Sequence, residues 1–436
     1  MDNHRNKKLL VVILLSLFLA MGVFHLTQDS AIADVVKLAA ITETGGSGPA
    51  TKLAFDIANK KFEGNIFVDV VSFSWESMVE KTVAELVTKS ANFDILDVQT
   101  NFGGGTYKYM EDLWPYVKKY GANLDIFPGA FLKQAIYDGK LVGLPFRTGL
   151  NDVFAYRKDL YAKYNLKVPR TMEEYYENAK VITKGEKPLG TYGAALMSGS
   201  NTGIFEDFCI WFFPQGGRLL NDSQNGVVSF NSPSGQLMID IFKMWKKMHD
   251  EELLPRGHTT WWHTDVLNAM QQNVVAQANL FSPRINALEN EQQSKTAGKW
   301  GYAGWFRGKA IGPEGHFSVT HSWGINSMVP QQRKEAAFKV LLTMVSEETQ
   351  KRAAIEKGNG PTIAKTYDDP DYKKLNPVSL VILEGLKKPY AMRGPENQEI
   401  ITIIGEEGGR AIIGQKTPED AARSVWSRTE ALFKKR

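Results

Sequence analysis

Three stretches set an aromatic residue beside groups that can hydrogen-bond: Ser74-Trp75-Glu76, Gln99-Thr100-Asn101-Phe102 and Thr259-Thr260-Trp261-Trp262-His263. A sugar ring has an apolar CH face and a rim of hydroxyls, so flat rings next to polar atoms are suited to holding one. Neighbouring residues on a strand or helix cannot both face one core, so one of Trp261 and Trp262 is expected at a cleft or surface. Carboxylates are plentiful, and a secreted glycosidase or lyase using two of them stands as the alternative to a binding protein. That chemistry needs an acid pair about 5–10 Å apart, which spacing along the chain does not reveal.

Other chemistries lack their residues. The sequence has no G-x-x-x-x-G-K-[ST], no G-x-S-x-G and no H-E-x-x-H. Gly46-Ser47-Gly48 follows a strand-like run, but Pro49 and Thr51 break the dinucleotide fingerprint. The histidine pairs His258/His263 and His316/His321 are each five apart, whereas ligands on one helix face need three or four. Asp368-Asp369-Pro370-Asp371 lacks the Gly and closing Glu of a calcium loop and reads as a helix start. One cysteine, Cys209, leaves no internal disulfide. No catalytic residue, metal or cofactor is expected. The net charge of +4 is spread over 436 residues and does not argue for nucleic acid.

The elements that must position these residues alternate. Val35–Thr42, Ile66–Ser72 and Asp94–Val98 read as buried strands. Helical patterns lie between them, over 50–62 and from Ser74 onward through Met78, Val79, Val83, Leu86 and Val87. That alternation predicts crossover units and a mostly parallel sheet, an α/β architecture. The texture continues beyond Gly143, with a short strand at Val153–Tyr156 and a helix from Met172. Thr171 and Glu174 form a capping box at that helix start. Further helices are expected over 236–249, 334–345 and 418–435. Length alone favours two or three domains, and no long linker separates them, so each is built from several segments or the chain forms one large body.

The N-terminus reads as an address. Arg5, Lys7 and Lys8 precede an apolar run, Leu9–Phe24, and Ala31-Ile32-Ala33 supplies a small-x-small cleavage site. The run spans about 24 Å as a helix, short of the roughly 30 Å hydrocarbon core. A signal peptide over 1–33, cleaved after Ala33, and a periplasmic location are expected.

Four further motifs occur in order along the chain. They are Tyr137-Asp-Gly-Lys-Leu-Val-Gly-Leu-Pro145 with Tyr156-Arg-Lys-Asp-Leu160 and Val168-Pro-Arg-Thr171; Gly216-Gly-Arg-Leu219 with Phe230-Asn-Ser; Ser322-Trp-Gly-Ile-Asn326 with Glu335-Ala-Ala-Phe-Lys339; and Gly360-Pro-Thr362 with Tyr367-Asp-Asp-Pro370. The set resembles the extracellular solute-binding proteins of ABC importers, in the carbohydrate-binding group that includes maltose-binding protein. The resemblance implies a type II periplasmic-binding-protein fold: two α/β lobes, 34–146 plus 324–365 and 147–323 plus 366–436, joined by hinge strands near 145–151 and 321–326. It also implies a monomer that closes on a sugar-like solute and delivers it to membrane permease subunits. By resemblance and by the aromatic stretches, the ligand-contact set is Glu43, Thr44, Trp75, Glu76, Gln99, Asn101, Phe102, Arg147, Thr148, Ser198, Phe205, Glu206, Trp262, Phe281, Arg284, His321, Ser322 and Trp323. The hinge departs from the family's P-x-D-T-D, reading Pro145-Phe-Arg147-Thr-Gly149, and Arg284 stands where the family has a stacking Trp, with Phe281 as its substitute. Two added arginines favour an anionic sugar-like ligand, unless Glu43, Glu76 or Glu206 pair with them and frame a neutral polyol.

Overall fold

The computed structural model describes residues 34–434 apart from 46–47, 100–105, 151, 377, 393 and 395. The expected signal segment, Asn101 and Phe102 lie outside the described residues, as do the side chains of Glu76 and Gln99.

The N-terminal alternation folds as its periodicity requires. Val36–Glu43 (β1) runs parallel to Ile66–Phe73 (β2) on one side and to Ile95–Gln99 (β3) on the other. Gly48–Lys61 (α1) and Trp75–Val87 (α2) are the crossovers between them. Side chains alternate across a strand. Leu38 and Ala40 therefore share a core with Ala54 and Phe55 of α1, while Ile41 joins Met78 and Leu86 of α2 in a second cluster. Ser74 caps α2 by accepting from the Ser77 amide at 3.3 Å.

Two strands carry the chain between cores. Leu144–Leu150 (β4) puts Leu144 and Phe146 in the α1 core and Leu150 in a separate, larger one. After Val153–Arg157 (β5), Gln277–Leu280 (β6) and Trp300–Gly304 (β7), His316–Ile325 (β8) returns. Phe317 and Val319 of β8 pack in the larger core, whereas Trp323 and Ile325 pack in the first. β8 is antiparallel to both β3 and β4, and the register with β4 slips between His321 and Ser322.

The larger core departs from the parallel pattern expected for the rest of the chain. Its sheet, β6-β5-β7, is antiparallel throughout. Several helices, not one crossover, separate β5 from β6, so strand–helix alternation does not fix strand direction here. Met172–Glu186 (α3) starts at Thr171, whose Oγ accepts from the Glu174 amide at 3.1 Å. The Glu174 carboxylate turns back to the Arg170 amide at 2.7 Å, one residue before the expected capping-box partner. Asn201–Phe212 (α4) is apolar on nearly every side and runs through the middle of this core, packed by Pro233–Asp250 (α5) and Asn397–Ile412 (α6). Asp369 accepts from the Asp371 and Tyr372 amides and opens a short helix, as the acidic run predicts.

Candidate ligand-binding site

At the C-terminal end of β1 and β3, where open α/β sheets bind ligands, four charged or polar groups from four segments form a chain. Arg147 on β4 is buried. Its Nη2 lies 2.7 Å from His321 Nε2 and its Nη1 lies 3.4 Å from Glu43 Oε1. His321 Nδ1 lies 2.8 Å from Asp97 Oδ2 on β3. One neutral tautomer satisfies both contacts: Nδ1–H donates to Asp97, and Nε2 accepts from the guanidinium. Burial pushes the His321 pKa down and the Arg147 cation pushes it further, against Asp97, which agrees with a neutral ring. Burial also lowers the Arg147 pKa, opposed by Glu43 and Asp97. Trp75, partly exposed at the start of α2, sets its ring 5.9 Å from the His321 ring.

A second group faces this chain from the larger core. Glu206 Oε2 on α4 lies 2.5 Å from His263 Nε2. Trp262 and Phe281, both partly exposed, flank the His263 ring at centroid distances of 4.7 and 6.2 Å. The Trp262 amide donates to Asp265 at 2.8 Å, fixing the start of the helix His263–Gln271 (α7). Arg284 is partly exposed and its Nη1 lies 3.5 Å from Thr264 Oγ1. Burial lowers its pKa, with Arg147 adding to the effect and Glu206 and Glu43 opposing it, so the two arginines and two glutamates share one electrostatic neighbourhood.

The remaining expected residues separate into four kinds. Thr44 is exposed at the end of β1. Thr148 and Ser322 are buried in the crossing strands, and Thr148 already accepts from Thr320 Oγ1 at 3.4 Å. Ser198 turns away to His258 Nδ1 at 2.6 Å. Phe205 and Trp323 are core residues: Phe205 is 1% exposed in the larger core, and Trp323 is 2% exposed against the Phe55 ring. The 259–263 stretch begins inside a single 3-10 turn, His258–Thr260.

Two members of the site escaped sequence reasoning. Asp97 was legible only as the odd acid in Ile95-Leu96-Asp97-Val98, a strand whose other residues are apolar. His263 was weighed as a metal ligand, but its partner is Glu206. Among the described residues, no group of three or more His, Cys, Asp or Glu is placed to hold a metal ion.

The family model for bacterial extracellular solute-binding proteins matches residues 54–377. The chain belongs to that family. Its relatives include a probable amino-acid ABC transporter periplasmic-binding protein of Sinorhizobium fredii, 24% identical over 85% of this chain and 84% of that protein. A putative binding protein of Brucella abortus is 24% identical over 93% of this chain and 95% of its own. Among solved structures, maltose-bound T. maritima MalE3 superposes with a TM-score of 0.81 at 23% identity, covering 91% of this chain and 100% of that one. A ribitol complex of an ABC transporter solute-binding protein from Agrobacterium radiobacter K84 gives 0.77 at 23% identity, covering 92% and 99%. The fold is that of the two-lobed periplasmic binding proteins. Membership makes the chain a bacterial extracellular solute-binding protein. No helix among the described residues is long and apolar enough to cross a membrane.

Proposed function

We propose that this solute-binding protein captures a neutral sugar or polyol between two lobes, 34–146 plus 324–365 and 147–323 plus 366–436, and hands it unaltered to the permease. In this reading 1–33 is a signal peptide cleaved after Ala33, and the mature protein acts as a monomer. The contact set is Glu43, Thr44, Trp75, Arg147, Glu206, Trp262, His263, Phe281, Arg284 and His321. Phe205, Trp323, Thr148 and Ser198 support the site from behind.

The observation that carries this reading is the matching of charge across the cleft. Arg147 meets Glu43 and His321, and Arg284 sits in the field of Glu206 and Glu43. Paired cations and acids present both donors and acceptors to hydroxyls and leave no surplus positive charge to demand an anion. Partly exposed Trp75, Trp262 and Phe281 supply faces for the CH side of a sugar. The neighbours of similar fold are recorded with maltose, with ribitol and with D-mannitol.

The same geometry argues against hydrolysis. His321 resembles the acid-oriented imidazole of a hydrolase, but its outer nitrogen faces a guanidinium and cannot accept a proton from a nucleophile. Glu43 and Glu206 are likewise held, by Arg147 and by His263.

Calorimetry with maltose, ribitol and D-mannitol, against sugar acids and amino acids, tests the reading on wild type and Arg284→Ala. Stoichiometric binding of a neutral member, recovered unchanged, is the expected result. Binding restricted to sugar acids or amino acids, or recovery of a converted product, overturns it.

A further inference from the structure

Beneath Trp75, on the side of β3 away from α1, lies a half-open pocket between α2 and the segment Thr106–Met110. The walls are mostly apolar, chiefly Met78, Val79, Leu86, Val98 and Met110. Thr82, Asp97, Thr106 and Tyr107 add polar groups to that lining. Among the described residues, Asp97 Oδ1 and Thr82 Oγ1 are both buried and have no hydrogen-bond partner. The Asp97 side chain is 6% exposed, and its other oxygen is the one held by His321. A buried carboxylate oxygen left unmatched is costly, and a well-packed interior rarely tolerates one without a reason. Trp75 forms part of the pocket while its ring edge meets His321, so the pocket adjoins the polar chain of the cleft.

We propose that this pocket is a second compartment of the binding site, taking an apolar arm that carries a hydroxyl and is attached to the polar head of the solute. A hydroxyl is the group that fits both orphaned atoms, since it donates to Asp97 Oδ1 and accepts from the Thr82 hydroxyl. The natural solute is then a glycoside or polyol ether with a hydroxylated aryl or short alkyl substituent, not a bare sugar. The assignment of the head rests on the sugar or polyol reading above; the pocket itself does not.

The experiment separates the two. p-Cresol alone, a pocket-sized arm with one hydroxyl, is titrated against the full-length mature protein and followed by saturation-transfer NMR. In parallel, calorimetry compares methyl, phenyl and 4-hydroxyphenyl glycosides of one sugar. Expected results are saturable p-cresol binding and at least tenfold tighter binding of the 4-hydroxyphenyl glycoside than of the methyl glycoside. Val79→Trp fills the pocket and should abolish both effects. Thr82→Val keeps the volume and should leave the phenyl glycoside unchanged while costing the 4-hydroxyphenyl glycoside about fivefold. If p-cresol binds and no glycoside does, the sugar reading fails and the pocket stands. If glycosides bind with no gain from the aryl group and p-cresol does not bind, the pocket proposal is overturned. It is also overturned if Thr82→Val leaves the hydroxyl preference intact.

Discussion

Arg147 and His321 stand opposite each other on neighbouring antiparallel strands, with Nη2 2.7 Å from Nε2, at the place where β8 slips register against β4. The pair spans the two strands that pass between cores, and Glu43 and Asp97 tie its two ends to β1 and β3. A change in how these strands bend would be felt directly by the groups proposed to touch the solute.

Removing Arg147 leaves Glu43 and Asp97 buried without their cation. Arg147→Ala should lower unfolding free energy by about 3–5 kcal/mol, as breaking other buried pairs does. Arg147→Lys should recover little of this, because an ammonium cannot bridge His321 and Glu43 as a planar fork does. Urea denaturation of the three proteins checks it; wild-type stability of the Lys variant would contradict the bridging role.

Gly149 lies against the Phe281 ring: a Cβ there would stand 1.7 Å from Phe281 Cε2. Gly149→Ala should therefore swing Phe281 out of the proposed cleft and weaken solute binding about tenfold, equivalent to ~1.4 kcal/mol. Phe281→Ala should cost a similar amount, and the double variant little more than either alone. Additive losses in calorimetry would show that the two residues act independently.

His258 is buried between Ser198 and His249, with its Nε2 2.9 Å from His249 Nδ1. Burial, and then His249, lowers its pKa to about 4. An unfolded chain takes up that proton near pH 6.5, so between the two values the unfolded state holds more protons and stability falls as pH drops. The contribution is complete above pH 6.5 and shrinks by about 3 kcal/mol on approaching pH 4, at ~1.4 kcal/mol per pKa unit. Thermal melts from pH 7.5 to 4 should show a shallower acid slope for His258→Gln than for wild type.

Cys209 is fully buried in α4, and burial pushes its thiol well above the usual range. A thiol held protonated and out of solvent is inert. Ellman's reagent should label no thiol in the native protein and one per chain in guanidinium. Prompt native labelling would mean that α4 is far less enclosed than described.

Much of the first core was legible because its signals are local. β1, α1, β2, α2 and β3 follow from apolar periodicity, with Ser74 ending one element and starting the next. The β5–β6–β7 sheet was not legible as antiparallel, since its strands are four or five residues long and meet only after long helical excursions. For the site, Glu43, Arg147, Glu206, Arg284 and His321 do come together across it. Phe205 and Trp323 could not be told from cleft aromatics, because burial on nearly every side of α4 and at every position of β8 leaves no periodicity to read. Ser198 was misjudged for a different reason: its partner, His258, is 60 residues away and nothing near either residue announces the contact.

The first sheet is closed on the β3 edge by β8, whose residues come after all three strands of the β6-β5-β7 sheet. During synthesis the N-terminal strands must wait until Ile325 has been made before that edge can be covered. The larger core waits longer still, for Trp426. Neither half can finish early, so the polypeptide stays threadable until late, and contacts so distant along the chain make the final step slow.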